Sequence, residues 1–203
     1  MIEYVEIRAA ANREIIGILD TAKSIIWRVA YYDTGDFEIY APCNPLTVQL
    51  LVAGNYVTRP DDNHIGIIEH VDYTFNFNDG RMIIATGRMC KSILDRRIIY
   101  RLTGYSVSPT ILTGNVETAA RSLITDNAIG FDANRNIDAL ILGAHSGSTK
   151  IIVDDQGNAA SKQVTYNNLM SYTNDFLREY QIGARVGLNS NLKLEYSCFE
   201  GVD

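Results

Sequence analysis

Hydrophobic and polar residues alternate in short runs through the first half of the chain, and turn-forming residues separate these runs. Alternation places successive side chains on opposite faces of a β-strand. Asn78-Asp79-Gly80 is the strongest hairpin signal, because Asp-Gly supplies the positive φ angles of a tight turn. Strands at this spacing are typical of a β-barrel or a two-sheet sandwich. The predicted strands are residues 2–8, 14–19, 24–32, 37–41, 55–59, 64–77, 81–87 and 98–100.

Helical spacing interrupts this pattern at two places and becomes more frequent in the second half of the chain. Residues 46–52 predict a short helix, and a helical turn is predicted around Ile93 and Leu94. Residues 116–124 place five apolar side chains on one helical face, and Asn115 precedes them as an N-cap. This segment is therefore predicted to be an amphipathic helix.

A second amphipathic helix is predicted to begin at Thr165 and to end at Gly183. Short strands are predicted at residues 137–142, 150–153, 184–188 and 192–197. We therefore expect a mainly β protein of the α+β class. Residues 1–105 would form a β-barrel or sandwich domain, and residues 106–203 a smaller α+β domain with two amphipathic helices on a short sheet.

The composition is that of a globular protein, with a net charge of −6 over 203 residues. Acidic residues outnumber basic ones on both sides of residue 105, which argues against a nucleic-acid partner. No apolar run approaches the ~20 residues that span a bilayer, so no membrane-spanning segment is predicted. Met1-Ile2-Glu3-Tyr4 lacks the features of a signal peptide, and we expect the chain to fold in the cytosol. Cys43, Cys90 and Cys198 are far apart and are predicted to be reduced thiols.

One stretch could hold a nucleophile and a base. His145 lies beside Ser146 and close to Ser148 in a Gly/Ser-rich segment. The Gly-x-Ser-x-Gly context that exposes a nucleophilic serine is missing, however. A loop between strands is the favoured interpretation.

Two stretches could be compared with metal sites. Residues 132–138 space oxygen ligands as a calcium loop does, but Ile137 stands where glycine is needed and Gly143 where glutamate is needed. The Asp61-Asp62-Asn63-His64 stretch has the residues of a hairpin turn, where aspartate and asparagine occur for backbone reasons. We predict no catalytic, cofactor-binding or metal-ligating residues, no cofactor and no enzyme activity.

One group of charges is unusual because it lies within apolar segments: Arg88, Asp95, Arg96 and Arg97. Three interpretations are open. The group could be a solvated start of a strand, an ion pair where the two parts of the chain meet, or a subunit interface, where arginine is enriched. We expect Asp95 to hold one of the three arginines at the junction of the two parts, since an unpaired buried arginine is too costly.

Short motifs in a fixed order resemble a known family, the tail-tip (minor tail) proteins of siphophages and of prophages in Gram-positive bacteria. The N-terminal region of that family is similar to the baseplate hub of contractile-tailed phages. The sharpest match is Gly87-Arg88 followed by Ser92-Ile93-Leu94-Asp95-Arg96-Arg97-Ile98-Ile99. The other matching stretches are residues 24–27, 31–40 with Pro42, 55–62, 67–69, 114–117, 140–143, 168–169 and 180–183.

The resemblance implies a non-enzymatic structural component of the tail tip or baseplate hub, which joins the tail tube to host-contacting parts. It implies other tail proteins as partners (distal tail or tube and tape-measure proteins) and a homotrimer in the assembled tail. The protein would be made and assembled in the host cytoplasm and would reside in the virion tail. Family members continue after a segment like residues 199–203 into a further β domain. The alternatives are a tail-delivered cell-wall hydrolase and a receptor- or glycan-binding module.

Overall fold

The computed structural model describes residues 4–100, 102–103, 106–107, 109–130 and 133–201. They group into two compact units. The first unit comprises the described residues of Met1–Ala30, Thr34–Cys90 and Val186–Lys193. The second comprises those of Tyr31–Asp33, Lys91–Arg185 and Leu194–Asp203. The predicted domain boundary at residue 105 lies outside the described residues and stays a prediction.

The first unit contains a seven-stranded sheet with the order β2-β1-β5-β6-β7-β4-β3, in which neighbouring strands are antiparallel. Asparagine, aspartate and glycine form the tight turn of its longest hairpin, and Gly80 has a φ of 78°. The strands are β1 (Val5–Arg8), β2 (Ile15–Leu19), β3 (Ser24–Arg28), β4 (Asp36–Pro42), β5 (Tyr56–Thr58), β6 (Ile65–Asn76) and β7 (Gly80–Met89).

The seven strands form one open sheet, with β2 and β3 as its edges. No closed barrel forms among the described residues of this unit, so the predicted barrel or two-sheet sandwich is not confirmed. Alternation along a strand reports which face is buried, but it carries no information about whether edge strands meet. The prediction that the third strand continues to Tyr32 is wrong, because β3 ends at Arg28.

The buried face of the sheet follows the predicted alternation. Phe37, Ile39 and Ala41 are buried at every second position of β4. Helix α1 (Pro45–Leu50) covers this face with Leu50, and Asn44 caps the helix through a capping box with Thr47. The predicted short helix at residues 46–52 is thus confirmed.

The second unit contains two longer helices, α2 (Val116–Ile124) and α3 (Leu169–Glu179). The predicted bounds of α2 and its N-cap Asn115 are confirmed. The predicted start of α3 at Thr165 is wrong, because the side chain of Asn168 accepts the hydrogen bond from the backbone N–H of Ser171 and caps the helix. A 3-10 helix at Cys90–Arg96 confirms the predicted turn around Ile93.

Small sheets accompany these helices. β14 pairs in parallel with β11 and lies between β11 and β13. β10 pairs with β12. The strands are β8 (Leu102–Thr103), β9 (Ser106–Val107), β10 (Thr110–Thr113), β11 (Leu140–Leu142), β12 (Ser161–Val164), β13 (Gly183–Leu188) and β14 (Leu194–Phe199). The predicted class, α+β and mainly β, is confirmed.

Candidate interaction surface

A row of alternating charges crosses four strands of the first unit. Arg88 on β7 forms a two-pronged ion pair with Glu69 on β6, with Nε–Oε2 and Nη2–Oε1 distances of 2.9 Å each. Arg88 also lies opposite Asp36 in the β4–β7 register. Asp36 in turn pairs with Arg28 of the edge strand β3 at 2.5 Å. From the edge strand inwards, positive and negative side chains therefore alternate in the order Arg28, Asp36, Arg88 and Glu69.

These side chains line an open cleft of about 330 Å³, together with Glu38, His70 and Thr86. The side chain of Arg88 is 43% exposed and that of Glu69 is 30% exposed. Ion pairs that solvent reaches contribute little to stability, because water screens them. A forked pair of this kind can present fixed charges and hydrogen bonds to another molecule. This geometry favours the interface interpretation of Arg88.

Asp95, Arg96 and Arg97 lie on or directly after the 3-10 helix of the second unit. The side-chain amide of Asn168 donates to the backbone oxygen of Asp95 at 2.9 Å and to its carboxylate at 3.0 Å. Arg97 donates to the backbone oxygens of Arg135 and Asn136. Asp95 is exposed, as is Arg96, while Arg97 is half-buried.

None of the three arginines of this group is fully buried, and the prediction that Asp95 holds one of them stays a prediction. Arg88, Arg96 and Arg97 all keep contact with solvent. The physical reason is that each of these side chains starts at the surface of a strand or a turn, where the guanidinium reaches water or backbone oxygens. The role of these residues at a domain junction stays a prediction.

A second surface is aromatic and was not found from the sequence. Three aromatic side chains are exposed at the far end of β6 and directly after it: Tyr73 (62%), Phe75 (64%) and Phe77 (97%). Phe75 and Phe77 pack edge to face, with ring centroids 5.6 Å apart. Tyr73 lies opposite the fully buried Ile83, so the apolar face of the hairpin continues beyond the packed core. Alternation predicted this strand correctly, but it could not show that the core ends before the strand does.

The His145 stretch forms a loop anchor. Ser146 donates its hydroxyl to the carboxylate of Glu117 at 2.6 Å and its backbone N–H to the same carboxylate at 2.9 Å. His145 lies 3.6 Å from this carboxylate. Arg121, one turn along α2, donates to the backbone oxygens of Gly143 and Ala144. Because the serine hydroxyl donates to the carboxylate and not to the imidazole, the arrangement fits the predicted loop.

Two buried groups of the second unit have strongly shifted pKa values. Burial lowers the pKa of Lys91 to about 8, and its ammonium donates to the backbone oxygen of Tyr32 at 3.1 Å. Burial raises the pKa of the Cys198 thiol to about 12, which makes it a poor nucleophile. All three cysteines are free thiols, as predicted.

The stretches considered for metals have other partners. Asp61 pairs with Arg59, and Asp62 bonds to His64 and Trp27. Asp132 lies outside the described residues. Within the part of the chain that the structure describes, no group of three histidine, cysteine, aspartate or glutamate residues is placed to hold a metal ion. Among the same residues, no helix combines the length and the apolar character needed to cross a membrane.

The family of Siphovirus ReqiPepy6 Gp37-like proteins matches residues 4–203. The chain belongs to this family. The match covers nearly the whole sequence and confirms the resemblance to siphophage tail proteins. No curated protein matches the chain.

The solved structures that are similar to the chain include the following two. One is the crystal structure of the tail protein from Neisseria meningitidis MC58, with a TM-score of 0.54, 11% identity and coverage of 95% of this chain and 49% of that one. The other is the E. coli c3393 protein, a type VI secretion component that exhibits structural similarity to the T4 bacteriophage tail proteins gp27 and gp5. It gives a TM-score of 0.46 and 12% identity, and the match covers 87% of this chain and 45% of that one. The chain thus spans about half the length of these structures, and the first of them supports the fold alone.

Proposed function

We propose that this chain is a non-enzymatic structural component of a siphophage or prophage tail. It resides in the hub at the tail tip and joins the tail tube to the parts that meet the host. The observation that carries the proposal is the family match over residues 4–203. The similarity of fold to a Neisseria tail protein supports it.

The surfaces of the first unit are suited to assembly. Exposed aromatic patches typically mark protein–protein contacts, and Tyr73, Phe75 and Phe77 form such a patch. The charge row through Arg88 and Glu69 can fix the register of a neighbouring subunit. The partners would be other tail proteins, namely distal tail or tube and tape-measure proteins. In the assembled tail the chain would form a homotrimer, and assembly would take place in the host cytoplasm.

The proposal is tested in a phage whose copy of this gene carries a nonsense codon. Particles made without the protein should show missing or incomplete tails by electron microscopy, and a plasmid copy should restore them. Normal tails in the uncomplemented particles would overturn the proposal.

The aromatic surface is tested in the same system with a Phe75→Ser/Phe77→Ser double variant. Both side chains are largely exposed, so the variant should fold but fail to restore tails. Ile111→Ser is the matched control, because Ile111 is 61% exposed and lies in the second unit.

The hydrolase alternative predicts that purified protein releases soluble fragments from peptidoglycan, and we expect no release.

A further inference from the structure

The first unit contains a second cavity, separate from the charge row, with a volume of about 340 Å³. This volume is at the lower end of the range for small-molecule sites, roughly 300–1,000 Å³. Its walls come from the outward side of β1, from the end of β5 and the turn after it, and from the turn at residues 188–192. Most of the lining side chains are hydrogen-bonding groups, and Pro60, Leu188 and Leu192 add an apolar portion.

One wall is a rigid cluster of three polar side chains. Arg8 donates to the carboxylate of Glu6 at 2.6 Å and to the hydroxyl of Thr58 at 2.9 Å. The Thr58 hydroxyl donates to the same Glu6 oxygen at 3.0 Å. The side chains of Arg8 and Glu6 are only 14% and 21% exposed. Mutual hydrogen bonds therefore fix this wall before any ligand arrives.

The facing wall is a second fixed cluster. The indole N–H of Trp27 donates to Asp62 at 2.6 Å, and His64 contacts the other carboxylate oxygen through Nδ1 at 2.5 Å and through its backbone N–H at 3.0 Å. Partial burial alone would raise the pKa of Asp62, but the hydrogen bonds from His64 and Trp27 hold it below its usual value. Asp62 is therefore an ionised acceptor. With Nδ1 directed at Asp62, the second ring nitrogen of His64 is the one left to serve a ligand.

With His64 counted as neutral, the charges of the lining cancel. Glu6 and Asp62 contribute two negative charges, and Arg8 and Arg59 contribute two positive ones. Arg59 is also held by Asp61 through two hydrogen bonds of 3.0 and 2.6 Å, and Arg8 by Glu6. The cavity thus offers fixed donors and acceptors without a surplus of either charge. An anion would find both guanidinium groups already neutralised, and an apolar molecule would bury these polar groups at a cost.

We infer that this cavity binds a neutral saccharide. Neutral sugars present alternating hydroxyl donors and acceptors, together with an apolar C–H face. The two polar clusters match the hydroxyls, and the surface formed by Pro60, Leu188 and Leu192 matches the C–H face. This inference does not rest on the tail role, because the lining of the cavity comes entirely from this chain.

The test is ligand-observed NMR on the full chain with glucose, galactose, rhamnose and N-acetylglucosamine. N-acetylneuraminic acid and glucose 6-phosphate serve as anionic comparisons. We expect saturation transfer to at least one neutral sugar and a weaker signal from both anions. Ser190 lines the cavity and is exposed, so Ser190→Trp should fill it and raise the Kd by about tenfold or more.

Two controls keep the test decisive. Ser171→Trp places the same side chain on an exposed position of α3 and should leave the Kd unchanged. Thr58→Val keeps the shape of the wall but removes the hydroxyl that Arg8 and Glu6 share, and it should weaken binding while the NMR spectrum stays that of a folded protein. The inference is overturned if no neutral sugar binds, if only the anions bind, or if binding persists unchanged in Ser190→Trp.

Discussion

The guanidinium of Arg88 and the carboxylate of Glu69 face each other across β7 and β6 as a forked ion pair, with Nε–Oε2 and Nη2–Oε1 distances of 2.9 Å. Both side chains remain in contact with solvent. The pair is therefore a feature of the surface.

This exposure predicts a small contribution to stability. In a double-mutant cycle with Arg88→Ala and Glu69→Ala, the coupling energy should be about 0.2–1 kcal/mol and should shrink as salt is raised. Urea-induced unfolding measures it. A coupling of about 3 kcal/mol, insensitive to salt, would show that the pair acts as a buried ion pair.

Asp95 and Asn168 give the second prediction. Asp95 is exposed and its carboxylate accepts a hydrogen bond from the side chain of Asn168, so Asp95→Ala should lower the free energy of unfolding by about 0.5–1 kcal/mol. Asn168→Ala should cost more, about 1–2 kcal/mol, because it also removes the N-cap of α3. Urea unfolding of the two variants decides the order. A larger loss for Asp95→Ala would restore the idea that Asp95 holds a buried charge.

The third prediction concerns Glu117, whose side chain is 1% exposed and accepts three hydrogen bonds from Ser146. Glu117→Ala should lower the free energy of unfolding by about 2–4 kcal/mol, because it removes charge-assisted bonds and frees the loop around Ser146. Glu179→Ala is the control, since Glu179 pairs with Lys162 at the surface. Chemical denaturation compares the two variants, and equal losses would contradict the anchoring role.

The sequence predicts elements that depend on neighbouring residues, and it does not predict pairings between distant parts of the chain. Helix α2 was predicted with its bounds, because its apolar face and its cap Asn115 are local signals. The pairing of β10 with β12 was missed, because a short strand such as Ser161–Val164 is recognisable only from its partner far along the chain. The order of the seven strands and the open edges are likewise non-local.

The same limit applies to the candidate surfaces. The sequence shows Arg88 as an unusual charge within an apolar segment, but its partner Glu69 is 19 residues away and comes close only through the β6–β7 register. Phe77 is exposed because the packed core ends before this hairpin does. The alternation of hydrophobic and polar residues does not show where a core ends. The saccharide cavity brings Glu6, Asp62 and Ser190 together from distant parts of the chain.

The fourth prediction is a pH dependence from Lys91. Its folded-state pKa of about 8 is below the ordinary lysine value of 10.5, so the unfolded chain binds more protons between these two values. The cost of burying the Lys91 amine therefore decreases, and the free energy of unfolding increases, as the pH rises from about 8 to 10.5. Relative to Lys91→Met, the wild-type free energy of unfolding should gain about 2 kcal/mol between about pH 7.5 and 9.5. Subtracting the free energy of unfolding of the Lys91→Met variant removes the contribution of tyrosine titration, because both proteins share it.

The control for this measurement is Lys193→Met, which removes an exposed lysine. It should leave the pH profile of the wild type unchanged. Parallel profiles for the wild type and Lys91→Met would show that the Lys91 amine is solvated in the folded state.

The proposed structural role at the tail tip is tested by locating the protein in purified particles. Gold-labelled antibodies raised against the chain would be imaged on intact virions and on isolated tails by electron microscopy. On intact virions and on isolated tails, we expect the label only at the end of the tail that lies away from the capsid. Label on the capsid or along the whole tube, or particles in which mass spectrometry detects none of the protein, would contradict it.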